Sequence, residues 1–216
     1  MLGFELNLKP ESSLHVLCLG AHSDDIEIGC GGTILRLIEE YPKIKCTWIV
    51  FGSSGQRSVE AQNSAVRFLD LVKDKEIIIK NFRDGFFPYL GEAIKEYFEQ
   101  LKIYSPDLIF THYRNDLHQD HRLICELTWN TFRDHLILEY EIPKYDGDFG
   151  TPNFFVHLSE KICSKKIEHI LNHFKTQENR HWFTAETFIS LLRLRGIESR
   201  SPGKYAEAFY CRKIIY

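Results

Sequence analysis

Residues 14–33 read LHVLCLGAHSDDIEIGCGGT: an apolar run closed by a glycine, then a histidine, two adjacent aspartates, a glutamate and a glycine-rich turn. The first seven residues predict a buried strand, short, apolar and ended by glycine. The polar residues after it are unusual, because adjacent carboxylates repel and need a positive partner to stay ionised side by side.

Outward from this stretch, strand and helix alternate. Ile34, Leu37, Ile38 and Tyr41 make a helical stripe that Pro42 stops, and IKCTWIVFG (44–52) reads as a second strand. GSSGQR reads as a loop, and Ala65, Val66, Leu69 and Val72 mark a second helix. EIIIKNF (76–82) is a third strand. Leu90, Ile94, Tyr97, Phe98 and Leu101 mark a third helix, closed by Ser105 and Pro106. DLIFTH (107–112) is a fourth strand, followed by a helix over 119–134 with Leu123, Ile124, Leu127 and Phe132 inward. Such alternation predicts an α/β fold with a mostly parallel sheet and helices on both faces. In these sheets ligands sit beyond the carboxyl ends of the strands. Further on the pattern is less regular. Residues 143–153 read as a loop, a helix starts near Ser159, another covers 184–195, 195–204 reads as a basic loop, and 205–216 returns to strand-like character.

Length and composition narrow the class. The chain has 216 residues, 44% hydrophobic and 13% aromatic, which suits a single domain over 1–216 with a real core. A formal net charge of −3 gives no electrostatic footprint for nucleic acid or an anionic membrane. Cys18, Cys30, Cys46, Cys125, Cys163 and Cys211 are scattered and lack a CxxC pair, as expected of free thiols in a reducing compartment. The stretch MLGFELNLKPESS shows no leader pattern and no run has the length of a membrane span, so the expectation is a cytoplasmic protein. Oligomeric state stays open, a homo-oligomer included.

A second polar cluster, HYRNDLHQDH (112–121), also lies at a strand end. His118 and His121 are three apart and share a helix face. With His22 and Asp25 they give enough nitrogen and oxygen donors for one divalent ion; two histidines, one carboxylate and an open position are a common catalytic arrangement. Asp24 and Asp25 point in different directions and suit two tasks, one as ligand and one as base toward an acidified water. His118, with Asp120 setting its charge, suits stabilisation of an oxyanion. The competing readings are plain ones: Asp24 or Asp25 as a helix cap, and HQDH as a solvated helix start. The glycines do not spell a dinucleotide fingerprint and read as close backbone packing under the loop.

These residues resemble the PIG-L/LmbE-like zinc-dependent N-deacetylases. That family's A-H-P-D-D-x-E and G-C-G-G-T match AHSDDIEIGCGGT, and its H-x-x-x-D-x-H-x-D-H matches HYRNDLHQDH. Weaker echoes run through RSVE (57–60), KIEHILNHFKTQ (166–177) and YAEAF (205–209). The resemblance implies a Rossmann-like fold and hydrolysis of an N-acetyl group on an amino-sugar substrate, an N-acetylglucosamine-type glycoside or nucleotide sugar, by zinc-activated water. Iron suits the same donors. By position, His22, Asp25 and His121 would bind the metal, Asp24 would be the general base, a protonated His118 would stabilise the oxyanion with Asp120 in support, and Arg57 would grip substrate. Two departures stand out: Ser23 replaces a proline, free to bond nearby backbone, and the spacing from His173 to Gln177 is one residue longer than the family's pattern, which weighs against a role for Gln177.

Other residues carry weaker expectations. His112 reads as a core or supporting histidine rather than a ligand, and Asp116 either orients an imidazole or caps a loop. His169 and His173 share a helix face but lack the glutamate of a H-E-x-x-H site. Arg193, Arg195, Arg200 and Lys204 read as a solvated basic run, or else as a grip on a substrate phosphate or carboxylate. Trp48, Phe86, Phe87, Tyr89 and Trp182 offer sugar-stacking faces unless they are core. Ser53 has no base partner and does not read as a nucleophile. Two alternatives compete with the deacetylase: a metallo-β-lactamase-like hydrolase, and a metal- or sugar-binding relative without turnover.

Overall fold

The computed structural model describes residues 3, 6 and 13–215. The rest of the amino-terminal stretch, read above as lacking a leader, lies outside the described residues. The strands are β1 (Leu14–Gly20), β2 (Ile44–Val50), β3 (Asp74–Ile79), β4 (Leu108–His112), β5 (Leu136–Tyr140), β6 (Phe154–Leu158) and β7 (Tyr205–Cys211). The helices are α1 (Asp25–Glu40), α2 (Gly55–Phe68), α3 (Gly91–Gln100), α4 (Gln119–Thr131), α5 (Glu160–His173) and α6 (Ala185–Glu198). The strands form one sheet in the order β3-β2-β1-β4-β5-β7-β6. The first five run parallel, and β7 runs antiparallel to both neighbours. This is a Rossmann-like, mostly parallel sheet with helices on both faces.

The two-residue period of a strand sorts the core. In β1, Leu14, Val16 and Cys18 face one layer, with Ala65, Phe68, Ile162 and Phe188 of the helices α2, α5 and α6. Leu17 and Leu19 face the other, with Ile94 and Phe98 of α3 and Ile124 of α4. No helix among the described residues is long and apolar enough to cross a membrane. All six cysteines are free, five of them buried.

Several boundaries differ from the sequence reading. α1 begins at Asp25, inside the motif, so its glycines lie in the helix and not under a loop. A Cβ on Gly29 would stand 2.1 Å from the ring of Tyr140, and one on Gly32 2.5 Å from Leu158 Cδ1. The glycines thus let α1 lie directly on β5 and β6. α2 begins at Gly55, which puts Arg57 in its first turn; Val66 is exposed, and Leu69 and Val72 come after its end. Residues 195–198 belong to α6, and the buried guanidinium of Arg195 pairs with Glu141 and Glu198. It is neither a solvated charge nor a substrate grip. β5 and β6 escaped the sequence reading. The apolar run of β5 is broken by Glu139, a buried carboxylate that accepts from Arg114 N at 2.9 Å and Trp129 Nε1 at 2.6 Å. β6 is an edge strand, only half-buried over most of its length.

The weak echoes assemble into a clamp on α1. Glu207 of β7 accepts from Gly32 N at 2.7 Å, Thr33 N at 2.6 Å and Thr33 Oγ1 at 2.6 Å. Lys166 of α5 completes the clamp, 2.6 Å from Glu207 and 2.6 Å from the carbonyl of Ile28. Glu60 of α2 holds Thr176 through N at 3.0 Å and Oγ1 at 2.6 Å, and Gln177 donates to that same Thr176 at 3.3 Å. The Glu207–Lys166 contacts fix α1, and with it the residues at its amino end.

Candidate metal centre

The parallel strands β1 to β5 end at one edge of the sheet, where residues 21–24, 51–54, 80–87, 113–118 and 141–153 meet. The two polar clusters come together there. Asp25 Oδ2 lies 3.4 Å from His22 Nδ1 and 3.6 Å from His121 Nε2, and those two nitrogens are 3.1 Å apart. All three residues are buried.

The other side of each imidazole fixes which nitrogen carries hydrogen. His121 Nδ1 faces Asp116 Oδ2 at 2.9 Å. His22 Nε2 faces Asp120 Oδ2 at 3.2 Å and Asp84 Oδ1 at 3.1 Å. Each of these nitrogens donates to a carboxylate, so in the neutral rings His22 Nδ1 and His121 Nε2 keep their lone pairs. Two imidazole nitrogens and a carboxylate oxygen then converge, and a cation that displaces the proton of His22 Nδ1 meets three donors. The dimensions agree: donors about 2.0–2.2 Å from a tetrahedral ion are separated by roughly 3.3–3.6 Å. The residues present fit a divalent metal. Among the described residues His118 also groups with His22 and His121, and His112 with Asp25 and His121. His112 is less free, since its Nε2 already accepts from Ala21 N at 2.9 Å, beside Tyr140 Oη at 3.2 Å.

The charges obey the same logic. Burial opposes charge on Asp25, yet the imidazoles of His121 and His112 hold its carboxyl well below the ordinary range. The helix start reinforces this, because Asp25 stands in the first turn of α1 and accepts from His22 N at 2.6 Å. Burial and the neighbouring His112 push His121 down to about 3, so it is neutral and able to ligate. Burial also opposes charge on His22, but hydrogen bonds to Asp120 and Asp25 raise its pKa well above the usual value. The pull that holds a proton there serves equally for a metal cation.

Asp24 does not cap α1 through its side chain. Its Oδ1 pairs with the Arg57 guanidinium at 3.2 Å, and its Oδ2 is buried without a hydrogen-bond partner. Burial raises its pKa and Arg57 opposes the rise. The positive partner sought for the aspartate pair is therefore Arg57 for Asp24 and His22 for Asp25. His118 is the N-cap of α4, its Nδ1 accepting from Asp120 N at 3.3 Å, which leaves Nε2–H as a donor. Burial, then the charge on His22, lowers its pKa. The Asp120 carboxylate bonds His22, Gly85 N at 2.7 Å and Phe87 N at 3.1 Å, and acts on His118 only through space.

Asp116 does both tasks considered for it: Oδ2 orients His121, and Oδ1 accepts from His118 N at 2.7 Å. Ser23 spends its hydroxyl on Ser53 Oγ at 2.7 Å, side chain to side chain rather than to backbone. Sequence reasoning passed over Asp84, which is exposed and lies 3.8 Å from Arg57 as well as beside His22, and Lys144, 3.0 Å from Asp116. Both lie in loops, where no periodicity marks them. His169 and His173 stay apart from the centre: their rings stack at 4.0 Å, and His169 bonds Ser64 at 3.0 Å, which in turn donates to the buried Glu27. Of the aromatic candidates, Trp48 and Phe87 are fully buried while Phe86 and Tyr89 are exposed. A cavity of about 720 Å³ lined by Leu37, Tyr41, Leu108 and Leu136 lies away from these donors.

The family model PIG-L: GlcNAc-PI de-N-acetylase matches residues 17–132 and so spans both polar clusters. A protein of Escherichia coli K12 described as an uncharacterized deacetylase, YaiS, is 28% identical over 170 residues, covering 73% of this chain and 89% of that protein. The N,N'-diacetylchitobiose deacetylase of Pyrococcus horikoshii superposes with a TM-score of 0.70 at 22% identity, over 91% of this chain and 83% of that one. A 4-carboxy-2-hydroxymuconate hydratase of Pseudomonas putida superposes with a TM-score of 0.67 at 14% identity, over 94% and 98%, so the fold alone does not name a reaction. With the family model spanning more than half of the sequence, the chain belongs to the PIG-L (GlcNAc-PI de-N-acetylase) family.

Proposed function

We propose that this protein is a metal-dependent deacetylase that removes the N-acetyl group from an acetamido-sugar substrate. The observation that carries the reading is the triangle of His22 Nδ1, Asp25 Oδ2 and His121 Nε2, three donors 3.1, 3.4 and 3.6 Å apart beside a buried, open carboxylate oxygen. We assign the ion as zinc, with iron as the second choice for a two-histidine, one-carboxylate set. When bound, the ion supplies positive charge that polarises the amide carbonyl and acidifies water.

The chain's own residues do the rest. Asp24 Oδ2 takes the proton of the attacking water, and Arg57 keeps that carboxylate ionised in its buried setting. His118 Nε2–H donates to the developing oxyanion as a neutral imidazole; burial, then nearby positive charge, favours this form over the protonated one implied by resemblance. Asp116 and Asp120 hold the rings of His121 and His22 in the required tautomers. A metallo-β-lactamase-like enzyme would need a β-sandwich, and the parallel sheet excludes it.

Metal analysis of the purified protein tests the assignment. We expect about one zinc or iron per chain, lost in Asp25→Ala and in His121→Ala, and acetate release from N-acetylated amino sugars that fails in the same variants. A protein that takes up no metal on reconstitution would sink the reading. One that binds metal but releases no acetate across a broad sugar panel would be a binding relative.

A further inference from the structure

The loop after β5 is tied into the metal centre by a buried charge network. Lys144 Nζ sits between two carboxylates, 3.0 Å from Asp116 Oδ2 and in hydrogen bond with Asp148 Oδ2. The Lys144, Asp116 and Asp148 side chains are only 10%, 1% and 7% exposed. The same Asp148 oxygen accepts from Leu117 N at 2.7 Å. The same Asp116 oxygen faces His121 Nδ1 at 2.9 Å, and the other oxygen accepts from His118 N at 2.7 Å. Residues 116, 117 and 118 are thus all held through groups that one ammonium bridges.

Building on the proposed metal centre, we propose that Lys144 is a positioning residue: it straps the 141–153 loop to Asp116 and thereby fixes the imidazole of His121 and the backbone of His118. An ammonium suits the task because it offers several donors from one point and cancels charge between two close carboxylates. Without it, Asp116 and Asp148 become unscreened neighbours in a buried space, and the lowest-energy response is for their loops to part. Asp116 would then swing away from His121, and the ligand would lose the partner that sets its tautomer. The strapped loop also carries Tyr145 and Phe149, two exposed aromatics.

Cobalt(II) is the probe, because its visible absorption reports ligand geometry apart from turnover. Affinity, spectrum, kcat and KM would be compared in wild type, Lys144→Met, Lys144→Arg and the double variant Lys144→Met with Asp148→Asn. We expect Lys144→Met to weaken cobalt binding by about 10-fold or more, to change the absorption band, and to lower kcat more than it raises KM. Lys144→Arg should return affinity and kcat to within about 3-fold of wild type, since it keeps the charge. The double variant should recover part of the loss, since it removes the repulsion, and it carries the test if Lys144→Met alone does not fold. Wild-type spectrum and affinity in Lys144→Met would overturn the proposal. So would equal damage from Arg and Met in proteins that melt like the wild type. Failure of the wild type itself to bind cobalt would instead overturn the metal centre.

Discussion

At the level of single residues, two adjacent carboxylates stand in opposite surroundings, which suit the two tasks proposed for them. Asp25 has three imidazoles and a backbone N–H about it; Asp24 has one guanidinium and an open oxygen. The expected result of Asp24→Asn is a protein that keeps its metal and loses kcat by about 10²-fold or more, checked by metal analysis beside steady-state rates. Glu27 belongs to the same motif but is buried behind it, and burial pushes its carboxyl from 4.5 to about 8 against the hydrogen bond from Ser64. Its folded-state pKa is raised, so the folded protein holds a proton that the unfolded chain releases. Glu27 therefore costs stability progressively as pH rises from about 4.5 to about 8. Glu27→Gln should flatten that part of the profile, measured as urea midpoints at the two ends of the window. An equal pH slope in variant and wild type would remove Glu27 as the cause. The two clusters were legible in the sequence because histidines and carboxylates at fixed spacing beyond strand ends are rarely placed there by packing. Lys144, Asp84 and the second task of Asp116 were not legible, because they depend on loop contacts that no periodicity or spacing announces.

At the level of elements, α1 is the part on which the site depends. Its amino end presents Asp25, its glycines bring it against Tyr140 and Leu158, and the clamp of Glu207 and Lys166 holds its second turn. Gly29→Ala tests this directly. The new methyl meets a fully buried tyrosine whose hydroxyl donates to Leu19 O at 2.7 Å, so the ring has little room to retreat. We expect a loss of about 1–3 kcal/mol, or roughly 2–10 °C in Tm, together with weaker metal binding as the helix start shifts. An unchanged melt would mean that α1 can slide without cost. The same element shows how sequence reading works and where it stops. The apolar stripe of Ile34, Leu37 and Ile38 marked the helix, but the glycines and aspartates ahead of it hid its start, since both residue types are poor helix formers in isolation. Tertiary contacts override that preference here. β5 was hidden for the complementary reason: a charged residue interrupted its apolar pattern, and only the fold supplies Arg114, Trp129 and Arg212 to satisfy it.

At the level of the whole molecule, the proposed metal joins segments far apart in sequence. His22 and Asp25 come directly after β1, and His121 stands in the first turn of α4, across a sheet in which β1 and β4 are neighbours. Because only the folded chain brings these donors together, metal binding adds to stability by mass action, about 2.7 kcal/mol when the ion is at 100 times its Kd. Chelation should then lower Tm by roughly 5–10 °C, and zinc should restore it. Asp25→Ala should melt at the same temperature with and without chelator. A wild-type melt indifferent to chelator would separate metal binding from folding.

The position of β1 at the middle of the sheet, between β2 and β4, also sets a schedule for biosynthesis. The first two donors leave the ribosome early, but the third lies 99 residues beyond His22. Until β4 and the start of α4 have emerged, the nascent chain has only a partial ligand set and an unpaired central strand edge. Loading of the proposed metal thus waits for β4 and the start of α4, at a stage when β5, β6 and β7 have still to join the sheet.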